Sequence, residues 1–283
     1  MFEILSAGLF STIQDMGRYG YRSMGVPSSG VMDQYSARLA NALLDNDENC
    51  AMIECTFTGP TIKFHCDTYI AITGAACQPT LNGELIKTHR VIQVESDSIL
   101  KLGSIRNGVR TYLAFAGGID SPVLMNSRSF YAGITLTSKL NKGDIFNLNL
   151  KIKDIKNRAT VKINNTHFTE NRIQVSAGPE FDLLNNQMKQ KLLAGSYKIS
   201  TKSNRMAYKL EQSNTVLKAQ EIITSGVQAG TVQLMPSGEL IVLMRDCQST
   251  GGYARVLQLT DQAINQLAQK AAGQSISLTC IIL

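Results

Sequence analysis

The densest run of chemistry-bearing side chains lies late in the 283-residue chain. Asp246, Gln248, Ser249 and Thr250 precede Gly251-Gly252, and Tyr253 and Arg255 follow. The apolar run 240–244 comes just before, so a strand ends in clustered hydrogen-bonding groups and two glycines. Glycines let backbone approach a ligand closely, which makes such a rim a candidate site. The same residues also fit a polar turn leaving a β-barrel, and the pattern alone weighs the two evenly. A second strand-like run, 111–116, also ends in a double glycine, Gly117-Gly118. Beyond it stands Arg128, flanked by Ser127 and Ser129. A guanidinium offers a planar fork to a carboxylate or phosphate, unless it serves a structural ion pair with a residue such as Glu54 or Asp33. Residues 12–18, including Gln14, Asp15 and Arg18, form a polar loop between glycines. Asn204 and Arg205 stand in another polar stretch.

Strands must position most of these groups. Residues 231–245 read as a β-hairpin around Pro236-Ser237-Gly238-Glu239. From 51 to 102, short β-prone runs alternate with Gly-Pro and Asn-Gly turns, the pattern of a sandwich or barrel. Glu54 lies inside one of these apolar runs and is expected to pair with an arginine. A helix is expected over 31–44, capped by Ser28 or Ser29, with Met32, Tyr35, Leu39, Ala42 and Leu43 as its core face. A short helix is expected near 187–193. A last helix is expected to begin at Thr260 or Asp261 and stop at Gly273. The polar stretch 151–172 lacks a clear period. The expected domains are therefore 1–155 and 173–283, joined by a linker over 156–172. Each half holds many strands, one main helix and a Gly-Gly strand end, which suggests two related barrels.

Composition narrows the function classes. Hydrophobic residues make up 43% and charged residues 18%, as in a globular protein. Net charge is +6, but Lys and Arg are scattered and Trp is absent, which argues against a nucleic-acid face. Six cysteines without a C-x-x-C pair read as reduced buried thiols, and three histidines at no metal spacing make a metal site unexpected. No apolar run reaches membrane-spanning length and no export signal is seen, so a cytoplasmic location is expected.

The segments TIQDMGRYGYRSMGVPSSGVMDQYSARLAN, IECTFTGPTIKF, AFAGGID, NSRSFY, GPEFD, SNRMAYKLE, SGVQAGTVQLMPSGE and STGGYARV run in one order along nearly the whole chain. In these the chain resembles the family that comprises the C component of bacterial 5-oxoprolinase, allophanate hydrolase subunit 2 and the carboxyltransferase domain of urea carboxylase. The resemblance implies a mainly β fold of two cyclophilin-like β-barrel domains with a few short helices. It also implies assembly with the A-like and B-like proteins of the same complex, which hydrolyses 5-oxo-L-proline to L-glutamate with ATP, the chain being inactive without them.

By match to the family's motifs, Asp246, Arg128 and Arg205 are the candidate catalytic residues. Gln14, Asp15, Arg18, Ser127, Asn204, Gln233, Gln248, Thr250, Gly251, Gly252 and Tyr253 are the candidate substrate- or ATP-binding residues. The arginines would bind anions, the glycines would open backbone N–H groups, and Asp246 would act as a base or orient an arginine. Cys247 stands where the family's usual pattern has an arginine, and a thiol cannot supply a fixed positive charge. Two other function classes fit the same fold. One is the carboxyltransferase component of a biotin-dependent urea or amide carboxylase. The chain has no Met-Lys-Met biotin attachment motif and no P-loop, so partners would carry both groups. The other is a regulatory protein that antagonises a kinase inhibitor through a B-like partner.

Overall fold

The computed structural model describes residues 1–149, 161, 164–212 and 222–282. The protein is mainly β and forms two compact units. One comprises residues 1–19 and 29–165, the other residues 20–28 and 166–283. The segment 20–28, which the sequence groups with the N-terminal domain, therefore belongs with the second unit. Seven residues of the expected linker, 156–160, 162 and 163, lie outside the described residues. Its described end carries the short helix Thr166–Thr169 and the first residue of the strand Arg172–Ala177.

The first unit is built on two sheets. One runs Phe10–Gln14, Met52–Thr56, Ile105–Phe115, Thr68–Cys77, Val91–Val94, with every neighbouring pair antiparallel. The other centres on Phe2–Ser6, paired on one side with Thr61–Phe64 and on the other with Ile145–Leu148. Phe2 stacks on Phe115 with ring centroids 4.7 Å apart, so the buried faces of these two strands share one core.

The helix over Gln34–Leu43 begins later than expected. Asp33 caps it, accepting from Ser36 N and Ser36 Oγ. Neither Ser28 nor Ser29 fills that role, because the backbone between them and the helix is bonded elsewhere. Val31 N donates to the Asp15 carbonyl, Met32 N to Glu54 and Asp33 N to the Tyr112 hydroxyl. The buried face also differs from the expected one. Ala37, Ala40 and Leu43 pack against the sheet, whereas Tyr35 and Ala42 are exposed and Leu39 is half-buried. Glu54 pairs with Arg110 at 3.7 Å and accepts from Tyr112, as an internal carboxylate requires.

The second unit is a closed seven-stranded barrel. Its order is Arg172–Ala177, Ala254–Leu259, Thr231–Leu234, Leu240–Leu243, Ala207–Glu211, Ser196–Ile199 and Ser275–Ile282, which returns to the first strand in parallel. The hairpin expected over 231–245 is present as Thr231–Leu234 paired with Leu240–Leu243. The helix Asn186–Ala194 matches the short helix expected there. Thr260 caps Asp261–Leu267 through its hydroxyl, which accepts from Ala263 N. That helix stops at Leu267, short of the expected Gly273. No disulfide joins any of the six cysteines.

Candidate functional site

In the first unit the chain brings Asp15, Arg18, Ser127 and Arg128 to one place. Asp15 Oδ1 accepts from Gly17 N at 2.9 Å, Ser127 Oγ at 2.7 Å and Ser129 Oγ at 2.6 Å, and its Oδ2 accepts from Arg128 N at 2.6 Å. With 2% exposure, this carboxylate is the clasp between residues 15–18 and residues 127–129; of the loop expected over 12–18, residues 12–14 instead close the strand Phe10–Gln14. The turn before the clasp puts Met125 and Asn126 at positive φ (52° and 61°), unusual for residues that carry a Cβ. Arg18 is fully buried and donates to the carbonyls of Leu124 and Ser129. The Arg128 guanidinium emerges from the clasp to pair with Asp120 at 3.2 Å. Its partner is thus neither Glu54 nor Asp33, since Glu54 is held by Arg110 and Asp33 caps a helix. Gln14 is buried beside Thr12 and the Phe130 carbonyl, with its Oε1 unbonded.

In the second unit Asp246 and Arg205 form a two-point pair, with Arg205 Nε at 2.8 Å and Nη2 at 3.1 Å from the two carboxylate oxygens. The Asp246 N–H also donates to the Arg205 carbonyl. Fork-to-fork geometry of this kind fixes a guanidinium plane, so Asp246 orients Arg205. The side chain of Asn204 accepts from Met206 N and Ala207 N, which makes it a turn residue leading into the strand. Thr250–Gly251 pairs with Ser225–Gly226 as a small two-stranded sheet beside the barrel. A Cβ on Gly251 would come within 2.7 Å of the Gln233 amide, the far end of a flexible side chain, which would have to shift to admit it. A Cβ on Gly252 would meet nothing closer than 3.5 Å. Thr250 is the exposed residue of this rim, and Gln248, Ser249, Gly251, Gly252 and Tyr253 are half-buried.

Two features of this rim escape a reading of local sequence. Arg22, from the segment 20–28, donates to the carbonyls of Val227 and Gln248 and lies beside Cys247. Burial pushes the Cys247 thiol up, and the Arg22 guanidinium opposes that rise. A positive charge thus stands beside position 247 although the residue there is a cysteine. The second feature is the ion pair between Arg255 and Glu180, with bonds of 2.8 and 2.7 Å, while Arg255 Nη1 donates to the Gly226 carbonyl. Arg255 holds the Glu180 carboxyl below its ordinary range. Glu180 sits in the GPEFD segment, which was visible in the sequence, but its partner lies 75 residues away.

A triphosphate requires several cations that can turn toward it. Arg205 and Arg255 are each locked to a carboxylate, Arg18 is enclosed by backbone, and Arg22 is turned toward carbonyls. These four arginines are therefore engaged within this chain. No group of His, Cys, Asp and Glu suited to a metal occurs among the described residues. No described helix is long and apolar enough to cross a membrane.

Comparison with known proteins gives this geometry a family. The chain is 34% identical to the C component of 5-oxoprolinase from Escherichia coli, over 98% of this chain and 90% of that protein. The solved structure of TTHA0988 superposes with a TM-score of 0.89 at 26% identity, covering 98% of this chain and 55% of the other. The Kluyveromyces lactis urea amidolyase superposes with a TM-score of 0.85 at 27% identity, over 98% of this chain but only 18% of that one. Residues 24–280 match the carboxyltransferase domain, subdomains A and B, and the chain belongs to that family.

Proposed function

We propose that this protein is one component of an ATP-dependent 5-oxoprolinase complex that hydrolyses 5-oxo-L-proline to L-glutamate in the cytoplasm, and that it is inactive until joined by A-like and B-like partner proteins. The observation that carries this reading is the end-to-end correspondence with the E. coli 5-oxoprolinase component, which spans 98% of this chain and 90% of that protein. Opening a lactam calls for a cation to hold the substrate carboxylate and for donors to a developing oxyanion. In the second unit, Arg205 held flat by Asp246 is the proposed carboxylate anchor. The open backbone at Gly252 and the side chains of Gln248 and Tyr253 are the proposed donors. In the first unit Arg128 is the proposed anion-binding group, carried on the Asp15 clasp. The other candidate residues, Gln14, Asp15, Arg18, Ser127, Asn204, Gln233, Thr250 and Gly251, shape and support these groups. ATP is proposed to be bound by the assembled complex.

The test is 5-oxoproline-dependent ATP hydrolysis and glutamate release, measured for this chain alone and with its A-like and B-like partners. Turnover is expected only in the full mixture. Turnover by the partners without this chain, or none with all three present, would overturn the reading. The family name and the likeness to urea amidolyase favour a second reading, a carboxyltransferase component served by a biotin-carrying partner. Avidin-sensitive carboxylation of urea or an amide by the mixture, with no glutamate released, would select it.

A further inference from the structure

An open cavity lined by polar residues in the second unit shares no residue with the Gly-Gly rim. It has a volume of about 420 Å³ and is bounded by the helix Asp261–Leu267, the parallel strands Arg172–Ala177 and Ser275–Ile282, and the residues around Thr166–Thr169. Small-molecule sites occupy roughly 300–1,000 Å³, so the space suits a small ligand. Gln174 and Thr279 are register partners and furnish an amide and a hydroxyl on one wall. Gln262 and Gln266, one helical turn apart, furnish the amides of another.

Gln266 carries the argument. It is only 6% exposed, it lines the cavity, and its carboxamide bonds no described residue. The preceding Asn265, buried to the same degree, accepts from Arg245. The carboxamide is not among the fully buried unbonded groups, so it keeps accessible surface to which a ligand with its own donors and acceptors would bond. The charges at this cavity come as an opposed pair, Glu170 and Arg172, 3.3 Å apart. The guanidinium holds the Glu170 carboxyl at about 2, so it stays ionised at any ordinary pH. Such an exposed pair is weak and can exchange partners. The lining residues include no aromatic ring on which a nucleobase could stack.

We propose that this cavity binds a small zwitterion of the α-amino-acid class. Arg172 takes its carboxylate, Glu170 its ammonium, and the amides of Gln174 and Gln266 its polar side chain. The site is independent of the function proposed above.

Calorimetric titration of the full chain with L-glutamine, L-glutamate and glycine at millimolar concentration tests it, with acetate, ethylamine and glucose as controls. Saturable binding is expected for at least one amino acid and for none of the controls. Gln266→Leu and Arg172→Gln are each expected to weaken it tenfold or more without lowering the melting temperature. Gln174→Ala, on the exposed face of its strand, is a second variant should Gln266→Leu disturb the helix. Absence of saturable amino-acid binding, binding indifferent to all three substitutions, or equal binding of glucose would overturn the proposal.

Discussion

Asp15 commits both carboxylate oxygens to donors from its own loop and from residues 127–129, in a nearly dry setting. Its replacement by Ala would leave several buried donors unsatisfied, each costing about 1–3 kcal/mol before relaxation. Asp15→Ala is therefore expected to lose on the order of 3 kcal/mol in urea unfolding, and an unchanged midpoint would refute the clasp. Glu180 makes a different prediction. Arg255 depresses its folded pKa below the ordinary 4.5, so the folded state holds the proton less readily than the unfolded chain does. The pair's stabilisation is complete above about 4.5 and is lost as the pH falls from there through the depressed folded value. Melting temperature followed from pH 6 to pH 3 should decline less steeply in Glu180→Gln than in the parent. Identical slopes would remove Glu180 from the acid response.

Glycines tell apart what an element needs for folding from what it offers a ligand. A Cβ at Gly178 would lie 2.2 Å from the Arg255 carbonyl oxygen, which is backbone and cannot yield. Gly178→Ala is expected to cost at least 1–3 kcal/mol, the usual penalty of overpacking, and to shift the Glu180–Arg255 pair. Gly252→Ala meets nothing closer than 3.5 Å and should melt like the parent. Loss of turnover in that variant's reconstituted complex would report a ligand against this backbone, and full turnover would take Gly252 out of the site. The helix Gln34–Leu43 shows why elements were less legible than fold class. Period alone chose a face through Tyr35 and Leu39, but small residues, Ala37 and Ala40, allow the closer approach to the sheet. The cap that sets the start is Asp33, and the backbone at residues 32 and 33 is held by Glu54 and Tyr112, far along the chain. The hairpin 231–245 was legible because turn and strand signals there are local.

The mainly β architecture could be read from strand-like runs and turns, and the order of motifs pointed to the family. Residue types at the candidate site were legible too, but not their partners: Asp120 for Arg128, Glu180 for Arg255 and Arg22 beside Cys247 each join distant stretches. The division of the molecule was least legible, because no local signal in residues 20–28 says that they group with residues 166–283. That grouping has a measurable consequence. Arg22 supplies donors to the carbonyls of Val227 and Gln248, and hydrogen bonds from charged donors are worth about 1.5–3 kcal/mol. A fragment spanning residues 166–283 lacks them. Joined to residues 20–28 through a flexible glycine-serine linker, the same fragment is expected to melt several degrees higher, the shift that about 1–2 kcal/mol gives a domain of this size. Arg22→Met in the joined fragment should abolish the gain. If the two fragments melt together, the segment is no working part of the second unit, and the positive charge beside Cys247 contributes nothing to holding the rim.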